Sequence, residues 1–206
     1  MTRRTRRLTG SPRLRAPRSP ESAPLELFGP DTARDVGDLL DAAGITLRTN
    51  TRAEVPTGNL VELHPQGEHI PVDRVVTLPI LTGPKVDGLP HDDAGFLPVD
   101  PHGRVMGTPG VYAAGDATDF DIKQGGIACQ QAEAAAEAIA ADAGVAIDPT
   151  PFVPVLRGLL LTEHDTRWMQ RTLGRQGGAE PDYWPQTKFA GRELAPLLGD
   201  FPVRPS

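Results

Sequence analysis

An α/β fold is predicted for this chain of 206 residues by three features. A β-prone run, Val111-Tyr112-Ala113-Ala114, ends on Gly115-Asp116, and an alanine-rich helix pattern follows from Gly125. Strand, helix and strand patterns succeed one another between Pro24 and Arg48. Short alternating runs bounded by turn residues then fill the interval from Arg52 to about residue 72. Hydrophobic residues make up 38% of the chain, with 22 Gly and 22 Pro, which favours a loop-rich globular protein over a helical bundle.

Residues 1–20 hold seven arginines, three prolines and no acid, leaving 14 of the 21 Lys and Arg against all 27 Asp and Glu. The arginines could form a nucleic-acid arm or a targeting segment, but a disordered basic leader is the expected reading. The acidic body gives no reason to seek nucleic acid or anionic lipid. No apolar run of membrane-spanning length is present, so no transmembrane segment is expected. Cys129 is the single cysteine, which excludes an internal disulfide, a CxxC pair and a cysteine-built zinc site, and fits a reducing, cytoplasmic setting.

In chain order, Pro24–Phe28 reads as a short strand closed by Gly29-Pro30. Asp31 is expected to cap a helix carrying Ala33, Val36, Leu39, Leu40 and Ala43, with Gly44 as its stop. Ile45–Arg48 reads as the next strand. Ala53–Val55, Leu60–Leu63 and His69–Val72, separated by Thr57-Gly58-Asn59 and Gln66-Gly67, predict a three-stranded meander. Arg74–Leu81, with Pro79 near its end, reads as a buried strand leaving that sheet. Residues 82–110 should be mostly loop, with short strands at Phe96–Val99 and Gly103–Met106.

Val111–Ala114 is the best-defined strand, and the helix from Gly125 to Ala141 should place Ala128, Ala132, Ala135 and Ile139 along one face, with Glu133 and Glu137 toward solvent. Cys129 is expected to be a small packed residue on it. The apolar run Val153–Leu161 leads into a looser tail containing Trp168, Tyr183 and Trp184.

The strand, Gly-Asp turn and small-residue helix start carry a chemical logic. Gly115 allows close backbone approach, Asp116 can accept hydrogen bonds from cofactor hydroxyls, and Gly125-Gly126 leave the first helix amides open toward electron density. A bare Gly-Asp would more often be a turn cap; the whole run favours a cofactor. His64, His69, His91, His102 and His164 show no paired ligand spacing, so no metal site is expected. No side chain stands out as a catalytic acid or base.

Gly110–Asp116 followed by Lys123–Ala128 resembles the second flavin-binding motif of the FAD-dependent pyridine nucleotide oxidoreductases, flavoproteins with two dinucleotide-binding, Rossmann-like domains. These include type II NADH dehydrogenases, sulfide:quinone oxidoreductases, and ferredoxin or disulfide reductases. Phe96-Leu97-Pro98-Val99-Asp100, after His91-Asp92-Asp93, is similar to the family's G(F/Y)xxVD approach to that motif. Leu156–Leu161 and Trp184–Arg192 resemble tails of the sulfide:quinone branch. The resemblance covers residues 21–200 and is most specific over 110–140.

The resemblance implies that Asp116, after Gly115, binds the ribityl chain of FAD, that Gln124, Gly125, Gly126 and Ile127 face the flavin pyrimidine, and that Lys123 sits nearby. It implies a partial two-dinucleotide-binding-domain fold with a small β-meander: a basic leader (1–20), a partial NAD(P)H subdomain (21–82), the C-terminal part of an FAD domain (83–148), and a tail or interface region (149–206). The implied activity is electron transfer from NAD(P)H through FAD to a small-molecule acceptor such as a quinone, in a cytoplasmic or membrane-peripheral setting.

Departures from the family pattern are equally plain. Neither G-x-G-x-x-G is present, which would remove most diphosphate affinity and points to a truncated form. Met106 stands where the family often has threonine, and a lone cysteine disfavours disulfide or sulfide chemistry. Trp184 could stack on a flavin or quinone ring or simply anchor the tail. The alternative function is a non-catalytic remnant or split-protein half, associating as a homodimer or with a complementary chain that supplies the other dinucleotide-binding half.

Overall fold

The computed structural model describes residues 21–78, 80–162 and 166–173. The expected basic leader, Pro79, His164 and the tail with Tyr183 and Trp184 lie outside the described residues. The chain divides into two compact units, Met1–Leu78 and Pro79–Ser206.

In the first unit, Pro24–Phe28 is not a strand. Leu25 has a φ of 52° and Glu26–Phe28 closes a 3-10 turn, with the Phe28 amide bonded to the Leu25 carbonyl at 2.9 Å. Ser22 contributes a signal that apolar patterning misses: its amide and hydroxyl both donate to the Glu26 carboxylate, at 3.0 and 2.7 Å. Those bonds satisfy locally what a strand would need a neighbour to satisfy.

Helix α1 spans Pro30–Ala42 and starts on Gly29, not on Asp31. Proline at the first helical position lacks the N–H that would go unpaired there. Asp31 instead lies in the first turn, where its charge suits the helix dipole, and accepts from Arg34 at 2.8 Å. At the other end Ile45 N–H reaches Leu40 O and Gly44 N–H reaches Asp41 O, a paired closure at the expected stop. Ile45–Arg48 forms no strand, only a single bridge at Arg48.

The meander is present: β1 (Arg52–Thr57), β2 (Leu60–His64) and β3 (Glu68–Pro71) pair antiparallel in that order. Successive β2 side chains alternate faces, so Val61 and Leu63 are buried while Leu60, Glu62 and His64 are only half-buried. By contrast, the described residues of Arg74–Leu81 form no strand and none is buried. Val76, Leu78 and Ile80 are 82%, 92% and 91% exposed. Apolar composition alone does not make a strand without a partner edge.

The second unit is built on helix α2, Gly125–Asp142. It buries Ile127, Gln131, Ala134, Ala135 and Ala138, a face displaced from the expected one, so that Ala132 and Ile139 are exposed. Helix α2 also ends on a paired closure, Val145 N–H to Ala140 O and Gly144 N–H to Ala141 O. Val111–Ala114, expected as the best-defined strand, makes among the described residues only an isolated antiparallel bridge between Tyr112 and Arg104. Phe96–Val99 and Gly103–Met106 are likewise reduced to single bridges, Leu97 to Thr118 and Val99 to Val105.

Two glycines bring these loops onto the helix. Gly103 and Gly115 have φ of 74° and 73°, and a Cβ on them would meet Cβ of Ala135 at 2.8 Å and of Ala128 at 3.1 Å. Ala128 and Ala135 are two turns apart on α2, so their small side chains form a seam for the loop backbone. The apolar run beyond Pro154 is a hairpin, β4 (Val155–Leu161) paired with β5 (Thr166–Thr172), whose Leu156 is buried.

Candidate functional site

Residues Gly115–Ala117 form a 3-10 turn that packs on the first turns of α2. Gly115 N–H donates to Gln131 Oε1 at 2.7 Å, and the fully buried Thr118 hydroxyl bonds Gly115 O at 2.9 Å. Gln131 lies four residues after Ile127 and is 95% buried because a loop amide needs its acceptor. Its signal in the sequence was a glutamine at the buried phase of an alanine-rich helix. With its neighbour so fixed, Asp116 is exposed and makes no hydrogen bond among the described residues.

At the start of α2, Gln124 is the N-cap, and its side chain does not cap the helix. The first intrahelical bond runs from Ala128 N–H to Gln124 O. The amides of Gly125, Gly126 and Ile127 therefore have no helical acceptor, and they carry the positive end of the dipole. Gln124 Oε1 is shielded from solvent and has no hydrogen-bond partner among the described residues. Its Nε2 donates to Arg157 O at 2.6 Å.

Lys123 is committed to the loop. Its ammonium donates to Thr118 O and, at 2.7 Å, to Phe120 O, and lies 3.8 Å from the centre of the Phe96 ring. Burial lowers its pKa, while the carboxylates of Asp116, Asp119, Asp121 and Asp92 oppose that shift. Asp116 is thus the first of four acids around one partly desolvated cation. Cys129 is half-buried on α2, its thiol pushed up in pKa by burial and then by Glu133.

A cavity of about 260 Å³ in this unit is lined by Val99, Ala113, Phe120, Gln131 and Phe152 among others. None of the predicted residues is in its wall: Asp116 and Gly125 are exposed, Gly115, Lys123, Gln124 and Gly126 are half-buried, and Ile127 is buried. Among the described residues no group of three or more His, Cys, Asp or Glu is placed to hold a metal ion. No helix among them is long and apolar enough to cross a membrane.

The fit to a flavin rests on the carboxylate of Asp116, which makes no hydrogen bond among the described residues, and on the amides of Gly125 and Gly126, which have no helical acceptor. Ribityl hydroxyls are donors that suit the first, and a pyrimidine carbonyl edge suits the second.

Solved structures share this fold at low identity. LpdA from Mycobacterium tuberculosis aligns with a TM-score of 0.55 and 21% identity, covering 71% of this chain and 33% of that one. An NAD-dependent persulfide reductase from A. fulgidus gives 0.54 and 18%, covering 73% and 30%. The sulfide:quinone oxidoreductase of the hyperthermophilic bacterium Aquifex aeolicus gives 0.56 and 14%, covering 71% and 39%. The chain spans about a third of the length of these structures. No curated protein matches the sequence.

The fold is a partial Rossmann-like flavoprotein fold with a small meander. Residues 20–138, more than half of the chain, match the pyridine nucleotide-disulphide oxidoreductase family. This chain belongs to the pyridine nucleotide-disulphide oxidoreductase family.

Proposed function

We propose that this chain supplies the ribityl- and pyrimidine-binding side of an FAD-dependent NAD(P)H oxidoreductase that delivers electrons to a small acceptor such as a quinone, in a reducing, cytoplasmic compartment. The family is one of FAD- and NAD(P)-dependent oxidoreductases. The observation that supports the reading is the packing of Gly115, the neighbour of Asp116, on Ala128 in the first turn of α2, a helix whose N-cap side chain leaves its first amides uncapped. When bound, FAD would supply the hydride and electron transfer chemistry.

Asp116 would accept hydrogen bonds from ribityl hydroxyls. The amides of Gly125, Gly126 and Ile127 would donate to the pyrimidine and favour negative charge there. Lys123, held by two carbonyls, would keep the Asp116 turn in place and add its charge at longer range. The single cysteine leaves these 206 residues without a redox pair of their own, so the acceptor is not proposed to be a disulfide.

The test is uptake of FAD by the full chain, read as flavin absorbance retained through desalting and as a titrated affinity. Asp116→Ala should weaken binding about 10- to 100-fold, the worth of a hydrogen bond to a charged group. Colourless protein, or a variant that binds as well as the parent, contradicts the reading.

A second reading draws on the exposed Val76, Leu78, Ile80 and Leu81: a non-catalytic half that associates with a second copy or a complementary chain. It predicts colourless protein together with self-association, whose mass light scattering would measure, or recovery of flavin binding only with the complementary chain.

A further inference from the structure

We propose that the β4–β5 hairpin is a positioning arm for the flavin site, acting through Gln124 and Gln130; the proposal rests on the flavin reading above. The match to the family ends at residue 138, and the hairpin begins at Val155. A helix opening on Gly125-Gly126 is intrinsically weak, because glycine gains least from helical structure and offers no side chain to anchor it. Two glutamines compensate.

Gln130 Nε2 donates to Gly126 O and to Val155 O, both at 2.9 Å, and its Oε1 accepts Val155 N–H at 2.9 Å. Gln124 Nε2 donates to Arg157 O. Val155 and Arg157 are alternate residues of β4, so their backbone groups share the strand edge turned away from β5. Helix side chains occupy that edge where a third strand would otherwise pair. Leu156, between them, is 2% exposed and locks the strand in place. The carbonyl of Gly126 is thereby tied to the hairpin through a single side chain, and the N-cap residue through another.

The experiment measures the affinity of the full chain for oxidised and for reduced FAD separately, in the parent and in Gln124→Leu, Gln130→Leu and Gln130→Glu. Gln130→Glu keeps the acceptor for Val155 N–H but loses both donated bonds, so it should resemble the leucine variant. Reduced FAD carries the extra negative charge that oriented amides favour. Its affinity should fall about three- to tenfold more than that of oxidised FAD.

Val155→Pro deletes the one N–H that Gln130 accepts, without altering α2, and serves if a helix variant does not fold. It should move the same ratio in the same direction. A lower melting temperature with an unchanged ratio in these variants means the glutamines only stabilise the fold, and overturns the proposal while leaving the flavin reading intact. Failure of the parent to bind either form overturns both.

Discussion

Gly115→Ala is the substitution that bears most directly on how the turn is held against α2. The backbone there has a φ of 73°, and the added methyl would sit 3.1 Å from Ala128 Cβ. A residue with a Cβ in the left-handed region costs about 1–2 kcal/mol. Lower entropy of the unfolded chain returns about 0.4–1 kcal/mol. Relieving a contact a few tenths of an ångström too short then adds to the cost, so a net loss of about 1–2 kcal/mol is expected. For a unit of this size that is a fall in melting temperature of about 4–7 °C, measurable by circular dichroism with denaturant titrations alongside. Combining Gly115→Ala with Ala128→Gly should recover the steric part but not the backbone part, so the two changes should couple favourably. A loss below about 0.5 kcal/mol, or strict additivity in the pair, would refute the close approach on which the position of Asp116 depends.

Gln131→Leu should destabilise by about 1–3 kcal/mol, because it leaves the Gly115 N–H without its buried acceptor; chemical denaturation measures it, and a neutral result would mean that Gly115 N–H finds another acceptor. The clamp at the far end of α2 joins Arg104, Tyr112 and Asp142, with Arg104 Nη2 3.1 Å from Asp142 Oδ1. The Tyr112 hydroxyl, then Arg104, lower the Asp142 pKa, and the bond to Asp142 raises that of Tyr112. A depressed carboxylate contributes stability above its unfolded value of 3.8 that is lost as pH falls through the folded value. A raised phenol contributes below its ordinary 10.0 and loses that contribution as pH rises beyond it. Asp142→Asn should therefore flatten the parent's stability profile at both ends, and an unchanged profile would show the clamp to be inert.

Helix α2 was legible in the sequence because its alanines and bounding glycines act within one element. Its buried face was not, since alanines on every side give little contrast between faces and the decisive residue, Gln131, is polar. The meander was legible from strict alternation, most clearly in Leu60–Leu63. Val111–Ala114 and Arg74–Leu81 failed for one reason: β-propensity describes a surface that still needs a partner edge. Among the described residues the first finds only the bridge to Arg104, and Val76, Leu78 and Ile80 of the second lie exposed. Of the candidate site, Gly115, Asp116 and the Gly125-Gly126 start were readable as a local motif. The bonds of Gln124 and Gln130 to β4 span 33 and 25 residues, and nothing local announces them. Lys123 was named for its position in the motif, yet its bonds to Thr118 and Phe120 turn it toward the loop.

Amide chemical-shift mapping of the isotopically labelled full chain during titration with FAD measures the central claim residue by residue. The account predicts saturable shifts at Asp116, Gly125, Gly126 and Ile127, abolished at the same FAD concentration by Asp116→Ala, with the residues of β1–β3 unmoved. Shifts absent from the start of α2, or identical in the variant, would contradict it.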